Sequence, residues 1–502
     1  MSKWPKRVGK VGNENPTADG TEMGRRSLLK VLGGAALWSQ VAGPFSQGQM
    51  VADAQDGKMP QKFLLTVHCG SWDGWPSGLI QPTDVGKYPK GVFRFGAYAE
   101  SPNPNVNAHF KTGNLVLNGY SKVLEPIANH VFHGMGTSQT LGHGTGEMFQ
   151  QSGEGIIGAG GNPSWIAGVA QAIHGGSKAS STFCLASPDA LASQMANTTP
   201  NVAVVGSLNL ADFRTKFTEP ERIPMAGEKA AYMDVLKGLN NGQYNSSLID
   251  AGTSKAINSS IESLMRGVPE ISDDAPVVQN ARAGISRGKV DGIIQTLDDA
   301  EGIIANHKYD FALEQLQLAA ILAKSGLASG LHIQLDGQDA HTGGSSVDTG
   351  RSGAQILSQL VVFWQWVKEN KLQDHVMIII SHEFSRTAFN EGDGPSKIVK
   401  FRGNETMVKS PGTDHGLTMG MIFINGKVPA ASRMGAIGDS YIATGSADFT
   451  GKPDPDIAPF TSMQFTGSML MRCFGDLFPD ARAVRRIWPN FSDADVIRLI
   501  AE

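Results

Sequence analysis

The sequence predicts an α/β fold, a doubly wound and mainly parallel sheet with helices on both faces and with loop and helical insertions. The first observation is the run 376–380, which consists of consecutive apolar residues, mostly β-branched. Such runs are typical of strands buried on both faces of a parallel sheet. The second observation is that runs 331–335 and 376–380 flank an amphipathic helical pattern at 355–367. That alternation is typical of β-α-β units.

The remaining elements follow from the same two patterns. Short apolar runs predict further strands at 63–67, 130–136, 181–186, 202–205 and 421–424. Apolar residues at helical spacing predict helices at 116–129, 165–173 and 311–327, and a pair of helices in 463–502 that is split at 488–490. The polar stretch 208–286 is interpreted as a helical insertion in a single domain spanning 55–502.

Residues 1–54 are predicted to be a twin-arginine export signal. Arg25 and Arg26 precede a leucine pair, and a short segment rich in small and apolar residues follows at 31–41. This order matches the charged and apolar regions of an export signal, and Ala52-Asp53-Ala54 supplies a cleavage site. The apolar segment is too short to span a bilayer permanently. The sequence therefore predicts a periplasmic or secreted protein whose partner during export is the twin-arginine translocase.

Charge and cysteine content argue against several classes of protein. The chain has 502 residues and a formal net charge of -4, which leaves no basic surface of the kind that nucleic acid requires. Cys69, Cys184 and Cys473 are far apart, and their odd number leaves at least one thiol unpaired. The absence of a C-x-x-C pair argues against zinc-finger and thioredoxin chemistry. Cys69 is interpreted as a small buried residue at a strand end, with a catalytic thiol as the alternative.

Carboxylates and imidazoles follow several of the predicted strands. Ligands of open α/β sheets bind at the carboxyl ends of the strands. Oxygen and imidazole donors without thiolates suit zinc, manganese or magnesium, and two such ions can clamp the oxygens of a phosphoryl or sulfuryl transfer. The candidate ligands of one or two divalent ions are Asp73, Asp339, His341, Glu383, Asp414 and His415, with His143 and His382 in reserve. As alternatives, Asp339 would cap a turn and Glu383 would pair with Arg386.

A glycine- and hydroxyl-rich segment at 137–147 supplies candidate catalytic residues. Thr145 and Thr140 are candidate nucleophiles, because a hydroxyl at a helix N-terminus would lie beside backbone N–H groups that can hold an anion. Arg386 would bind the anionic group of a small ester substrate, and His143 is a further candidate catalytic residue. A hydroxyl-rich loop without chemistry is the alternative for each threonine.

These motifs resemble the family called domain of unknown function 1501, whose members are commonly exported by the twin-arginine route. The resemblance covers most of residues 60–480 and rests on four motifs, Gly70-x-x-Asp73-Gly74, Asp339-x-His341, Glu383-Phe384-Ser385-Arg386-Thr387 and Thr413-Asp414-His415-Gly416. It implies an alkaline-phosphatase-like or sulfatase-like sheet with a metal site at the strand ends. The chain departs from the family pattern at Gly142 and His382, where the family usually has Ser, and at Ser385, where it has Gly.

The sequence leaves three functions open. The first is an exported metal-dependent hydrolase of phosphate or sulfate esters. The second is a non-catalytic exported binding or assembly protein on the same fold with a degenerate metal site. The absence of a side-chain hydroxyl at Gly142 favours this alternative. The third is a metal-dependent enzyme of another class, such as a phosphomutase.

Overall fold

The computed structural model describes a large sheet and the helices that cover it. The described residues are 62–70, 110–138, 140, 142–153, 162–173, 181–185, 202–206, 209–213, 273–305, 309–326, 328–335, 346–386, 396–401, 404–409, 415–416, 418–434 and 460–499. The predicted export signal and most of the predicted insertion lie outside these residues.

The strands of the described residues belong to one large sheet and three small ones. Their bounds are β1 Phe63–Cys69, β2 Phe110–Thr112, β3 Leu115–Leu117, β4 Val131–Thr137, β5 Ser181–Leu185, β6 Val202–Gly206, β7 Gly330–Leu335, β8 Val376–Ser381, β9 Ser385–Arg386, β10 Ser396–Phe401, β11 Asn404–Lys409, β12 His415–Gly416, β13 Thr418–Ile424 and β14 Ser432–Met434. The large sheet has the order β14-β4-β13-β8-β1-β7-β5-β6, and β2-β3, β9-β12 and β10-β11 form two-stranded sheets.

The large sheet is mainly parallel and doubly wound. Strand β1 lies in its middle and pairs in parallel with both β7 and β8. The parallel pairing continues outward through β5 and β6 on one side, and β14 is parallel to β4 on the other. Strand β13 is antiparallel to both of its neighbours, β4 and β8. The predicted fold class is confirmed.

Helices cover both faces of the sheet. The α-helices are α1 His143–Ser152, α2 Trp165–Ile173, α3 Pro276–Gly284, α4 Arg287–Ile294, α5 Ala300–Ile304, α6 Asp310–Ser325, α7 Ser346–Glu369, α8 Ser462–Cys473 and α9 Ala481–Arg485, and 3-10 helices span Ser121–His130 and Asp493–Asp495. Helices α3 to α7 and the longer 3-10 helix enclose a first hydrophobic core. Helices α2, α8 and α9 enclose a second core on the opposite face.

Alternate residues of the central strands point into these two cores. In β1, Leu65 and Val67 pack in the first core and Leu64 packs in the second. In β8, Ile378 belongs to the first core and Met377 to the second. Because successive side chains of a strand point to opposite faces, a strand covered on both sides must be apolar throughout. The continuous apolar runs of the sequence have this cause.

Two predicted helical segments differ in the structure. The segment 116–129 was expected to be one helix, but it contains the end of β3 and a 3-10 helix. The side chain of Asn118 accepts hydrogen bonds from the backbone N–H groups of Tyr120 and Ser121, which turns the chain out of β3, and Pro126 supplies no N–H to a longer helix. The predicted break at 488–490 is wrong, since α8 and α9 both precede Trp488.

Burial confirms the interpretation of Cys69 as a buried residue at a strand end. Cys69 is buried at the end of β1, and burial followed by the nearby Glu383 raises the pKa of its thiol, so the protonated form is held. The alternative of a catalytic thiol is therefore not supported. Among the residues that the structure describes, no helix is long and apolar enough to cross a membrane.

Candidate active site

One edge of the large sheet gathers the candidate residues. The strands β4, β8, β1 and β7 are parallel in direction, so their carboxyl ends lie on the same edge. Strand β13 runs the other way, and its first residue, Thr418, is the register partner of Thr137 at the carboxyl end of β4. Glu383 follows β8 at this edge, and α1 begins at His143 soon after β4 ends. Glu383 and His143 therefore follow strand ends, as the sequence indicates, and their roles at a site stay predictions.

A polar cluster replaces the second hydrophobic core at this edge. The neighbouring residues Val67, Ile333 and Ile380 point into the first core, so the strand residues beside them point to the second face. The members of the polar cluster are buried Thr66 and His68 of β1, His332 and Gln334 of β7, Ser381 of β8, the following Glu383, and Gln151 of α1. Helix α1 therefore covers a polar surface rather than an apolar one.

His332 is a neutral, hydrogen-bonded member of the polar cluster. Its Nδ1 is 2.8 Å from the hydroxyl of Thr66, and its Nε2 is 3.1 Å from Oε1 of Gln334. Nε2 also lies 3.4 Å from the amide nitrogen of Gln151, so side chains of β1, β7 and α1 all contact this imidazole. Burial, and secondarily the charge of His68, lowers the pKa of His332 to about 3. His332 therefore joins β1 to β7 as an uncharged bridge.

Glu383 lies between two imidazoles. Its Oε1 is 3.4 Å from Nδ1 of His143, within hydrogen-bonding distance, and its Oε2 is 3.9 Å from Nε2 of His68. The other ring nitrogen of His68, Nδ1, is 3.3 Å from the hydroxyl of Ser381. The side chains of His68 and Glu383 are 0% and 5% exposed, whereas that of His143 is 36% exposed. The arrangement thus leads from a buried imidazole, through a buried carboxylate, to an imidazole that solvent reaches.

The position of Glu383 is fixed by its neighbours. A Cβ added at Gly146 of α1 would lie 2.7 Å from Cβ of Glu383, so the helix backbone approaches the glutamate as closely as a glycine permits. The hydroxyl of Ser138 lies 3.2 Å from the carbonyl oxygen of Glu383 and 2.7 Å from that of Thr140, so its one proton favours the nearer oxygen. The ring of Phe384 packs against that of His143 with centroids 5.0 Å apart. Helix α1 and the residues after β8 are therefore held together at the glutamate.

His382 does not serve as the reserve metal ligand. Its Nε2 accepts the backbone N–H of Gly420 at 3.1 Å, so its Nδ1 carries the proton, which it donates to the carbonyl of Phe384 at 2.9 Å. Both ring nitrogens thus hold backbone groups, and the side chain is buried. The imidazole fastens the segment after β8 to β13.

The two candidate nucleophiles lie at the beginning of α1. Thr145 is exposed in the first turn of the helix, two residues after His143. Thr140 is partly exposed, and its hydroxyl accepts the backbone N–H of Gly142 at 3.1 Å. A Cβ at Gly142 would lie 3.6 Å from Oγ1 of Thr140 and 3.7 Å from that of Thr145, so the two hydroxyls flank this glycine.

The backbone brings two further candidates together. Arg386 of β9 and His415 of β12 are register partners in a short antiparallel pair. This pair starts two residues after Glu383, at the same edge of the sheet. The side chains of Arg386 and His415 are outside the description, as are the whole residues of four predicted ligands, Asp73, Asp339, His341 and Asp414. The predicted roles of all six residues stay predictions.

The described residues do not complete a metal site on their own. Carboxylate and imidazole donors of the type that zinc prefers are present in Glu383, His68 and His143. Within the described ranges, however, no group of three or more His, Cys, Asp or Glu side chains is placed to hold a metal ion. Any metal therefore depends on the predicted ligands that lie outside those ranges.

Sequence reasoning overlooked most of the polar cluster. His332 was included in the run 331–335 and His68 directly follows the run 63–67, and neither was given a role, although each stands at an alternate position beside another polar residue, Thr66 or Gln334. A polar pair at period two near the end of an otherwise apolar strand marks one face as polar. That pattern was the signal available in the sequence.

Comparisons with known proteins add a distant likeness to a solved structure. No protein-family model matches the chain, and no curated protein matches it. Among solved structures, the C-terminal periplasmic domain of EcEptC from Escherichia coli, in complex with Zn, aligns with 83% of this chain and 84% of its own. The identity is 9% and the TM-score is 0.26, too low to support a functional argument. The resemblance to domain of unknown function 1501 thus remains a prediction from the motifs.

Proposed function

We propose that this protein is an exported, metal-dependent hydrolase of phosphate or sulfate esters. One observation supports this best. The buried carboxylate of Glu383, the partly exposed imidazole of His143 and the first turn of α1, which carries Thr145, lie together at the edge where the parallel strands end. Ligands of open α/β sheets bind at such an edge. The carboxylate and imidazole of Glu383 and His143 are also the groups that proton transfer requires.

Chain connectivity supports a location of the remaining ligands near this edge. Asp73 follows Gly70, the residue after β1, by three positions in the sequence. Asp339 follows Leu335, the last residue of β7, by four positions. Asp414 directly precedes His415, the backbone partner of Arg386. Since ligands bind at the carboxyl ends of such strands, these three carboxylates are proposed to belong to the same site as Glu383.

Each residue has a defined part in the proposed reaction. The metal ligands would be drawn from the predicted set of Asp73, Asp339, His341, Glu383, Asp414 and His415. A bound divalent ion supplies Lewis-acid stabilisation of the charge on the transferred group. Arg386 would bind the anionic oxygens of the substrate, and Thr145 or Thr140, or water, would attack the phosphorus or sulfur atom. Export is proposed to proceed by the twin-arginine route through residues 1–54.

The test is the metal content of the folded protein, measured by elemental mass spectrometry for the wild type and the variant Asp414→Ala. The exposed Asp274 supplies a matched control, Asp274→Ala. We expect one or two equivalents of metal in the wild type and the control, a loss in Asp414→Ala, and turnover of nitrophenyl phosphate or sulfate. A folded wild type that takes up no zinc, manganese or magnesium would refute the hydrolase and favour the non-catalytic binding or assembly protein.

A further inference from the structure

We propose that Glu383 orients His143 for proton transfer and is not a ligand of the metal. This proposal rests on the proposed hydrolase function and deepens it, because it assigns an acid-base residue and the residue that positions it. His143 is the catalytic residue in this assignment, and Glu383 and His68 are positioning residues. The remaining five predicted ligands keep their roles.

The first argument is the direction of the two carboxylate oxygens. Oε1 faces Nδ1 of His143 at 3.4 Å, and Oε2 faces Nε2 of His68 at 3.9 Å. A carboxylate can only accept, so the contact favours the His143 tautomer with the proton on Nδ1. Proton exchange with a substrate would then proceed through Nε2. A carboxylate that fixes the tautomer of a partly exposed imidazole is the arrangement by which hydrolytic enzymes orient a general base.

The second argument is the confinement of Glu383. The backbone of α1 at Gly146 packs so closely on Glu383 that an added Cβ would lie 2.7 Å from the Cβ of the glutamate, which restricts the point from which the side chain starts. Its carboxylate is nearly buried and lies against the fully buried His68. Turning an oxygen toward a metal would remove the contact with one of the two imidazoles.

The third argument is the placement of His143 relative to the candidate nucleophile. His143 and Thr145 share the first turn of α1, and the His143 side chain is about one-third exposed while its ring is steadied by Phe384. In the proposed step, Nε2 takes a proton from the attacking water or hydroxyl as its oxygen bonds to phosphorus or sulfur. The ester bond breaks, and Nε2 returns that proton to the leaving alkoxide. When water attacks, His143 therefore ends the turnover in its starting state. When the hydroxyl of Thr145 attacks, a water must then hydrolyse the threonine ester, with Nε2 taking a proton from that water and returning it to the departing threonine oxygen.

Metal content and kinetics of the full-length protein distinguish an orienting carboxylate from a ligand. We expect Glu383→Gln to retain the metal content of the wild type while kcat falls about 10²- to 10⁴-fold, the usual contribution of acid-base catalysis. The fall should be larger for alkyl esters than for nitrophenyl esters, since the better leaving group needs less protonation. Glu314→Gln makes the same change at an exposed position of α6 and should leave both quantities unchanged. Loss of metal in Glu383→Gln would overturn the proposal.

A second measurement does not depend on turnover. In histidine-labelled protein, ¹⁵N NMR distinguishes the two tautomers of a neutral imidazole, and the variant His143→Asn identifies the signals of His143. We expect the Nδ1-protonated form in the wild type and a shift toward the Nε2-protonated form in Glu383→Gln. An unchanged tautomer would refute the orienting role. A wild type that binds no metal and hydrolyses no ester would refute the proposed function instead, and the tautomer comparison would still decide the role of Glu383.

Discussion

Gly146 is the position at which the packing of α1 on the candidate site can be tested most directly. A methyl group there would lie 2.7 Å from Cβ and 3.4 Å from Cα of Glu383. These atoms belong to the base of the side chain and to the backbone, so they cannot rotate away. In Gly146→Ala, helix α1 or the segment after β8 must move by several tenths of an ångström. We therefore expect an overpacking penalty of about 1–3 kcal/mol in the free energy of unfolding.

Gly144 provides the matched control on the same helix. A Cβ at Gly144 meets no atom within 4 Å, so Gly144→Ala carries no packing penalty. Both substitutions replace glycine within a helix and gain up to about 1 kcal/mol from reduced backbone entropy in the unfolded chain. The difference between the two variants therefore isolates the contact with Glu383, and Gly146→Ala should be the less stable by about 1–3 kcal/mol.

Urea unfolding of both variants, followed by tryptophan fluorescence, measures this difference. Equal midpoints with equal slopes would mean that α1 does not press on Glu383, and the argument for a confined carboxylate would fail. If Gly146→Ala is instead the less stable variant, we expect it also to lower ester turnover, because the displaced glutamate no longer holds His143.

Three further predictions concern the rest of the fold. Burial lowers the pKa of His332 from its ordinary value of 6.5 to about 3. Between these two pH values, the unfolded chain therefore binds a proton at His332 that the folded protein does not bind. The free energy of unfolding should thus fall by about 1.4 kcal/mol per pH unit on acidification over this range, and His332→Gln should flatten that slope in urea titrations. Burial keeps the Cys69 thiol protonated, so iodoacetamide at pH 8 should label it only after denaturation, as peptide mass spectrometry would show. Asp299 accepts two hydrogen bonds from Arg351 in the interior, so Asp299→Asn should lower the free energy of unfolding, measured by thermal unfolding, by about 3–5 kcal/mol. The same change at the exposed neighbour, Asp298→Asn, should lower it by about 0.5 kcal/mol or less.

The architecture was largely predictable because it depends on local pattern. Strands buried on both faces are mainly apolar, and short apolar or largely apolar runs indicate β1, β7, β8 and β13 in the sequence. The polar exceptions in β1 and β7 belong to the polar cluster. Helix α6 has the length and periodicity that the sequence indicates. The segment around Asn118 and Pro126 was misjudged because its apolar spacing suits a helix, while the hydrogen bonds of the Asn118 side chain to the backbone and the missing N–H of Pro126 decide its actual course.

The candidate site was predictable only in part because its contacts join distant residues. The sequence places Glu383 after a buried strand, and that position is confirmed. Its neighbours His68 and His143 come from other strand ends, and which strands lie side by side is set by the sheet order rather than by any local signal. His382 shows the converse error, since its composition suggests a ligand while its hydrogen bonds to Gly420 and Phe384 are structural.

The order of strands in the large sheet also constrains when the protein can fold. Strand β1 is synthesised early, but both of its neighbours, β7 and β8, lie in about the last third of the chain. Strand β4 likewise cannot pair with β13 until that later strand has been synthesised. Such distant pairings close slowly and leave apolar strands exposed in the meantime. A chain of this topology must be almost completely synthesised before its sheet exists, so folding on the ribosome would be confined to its helices and its small hairpins.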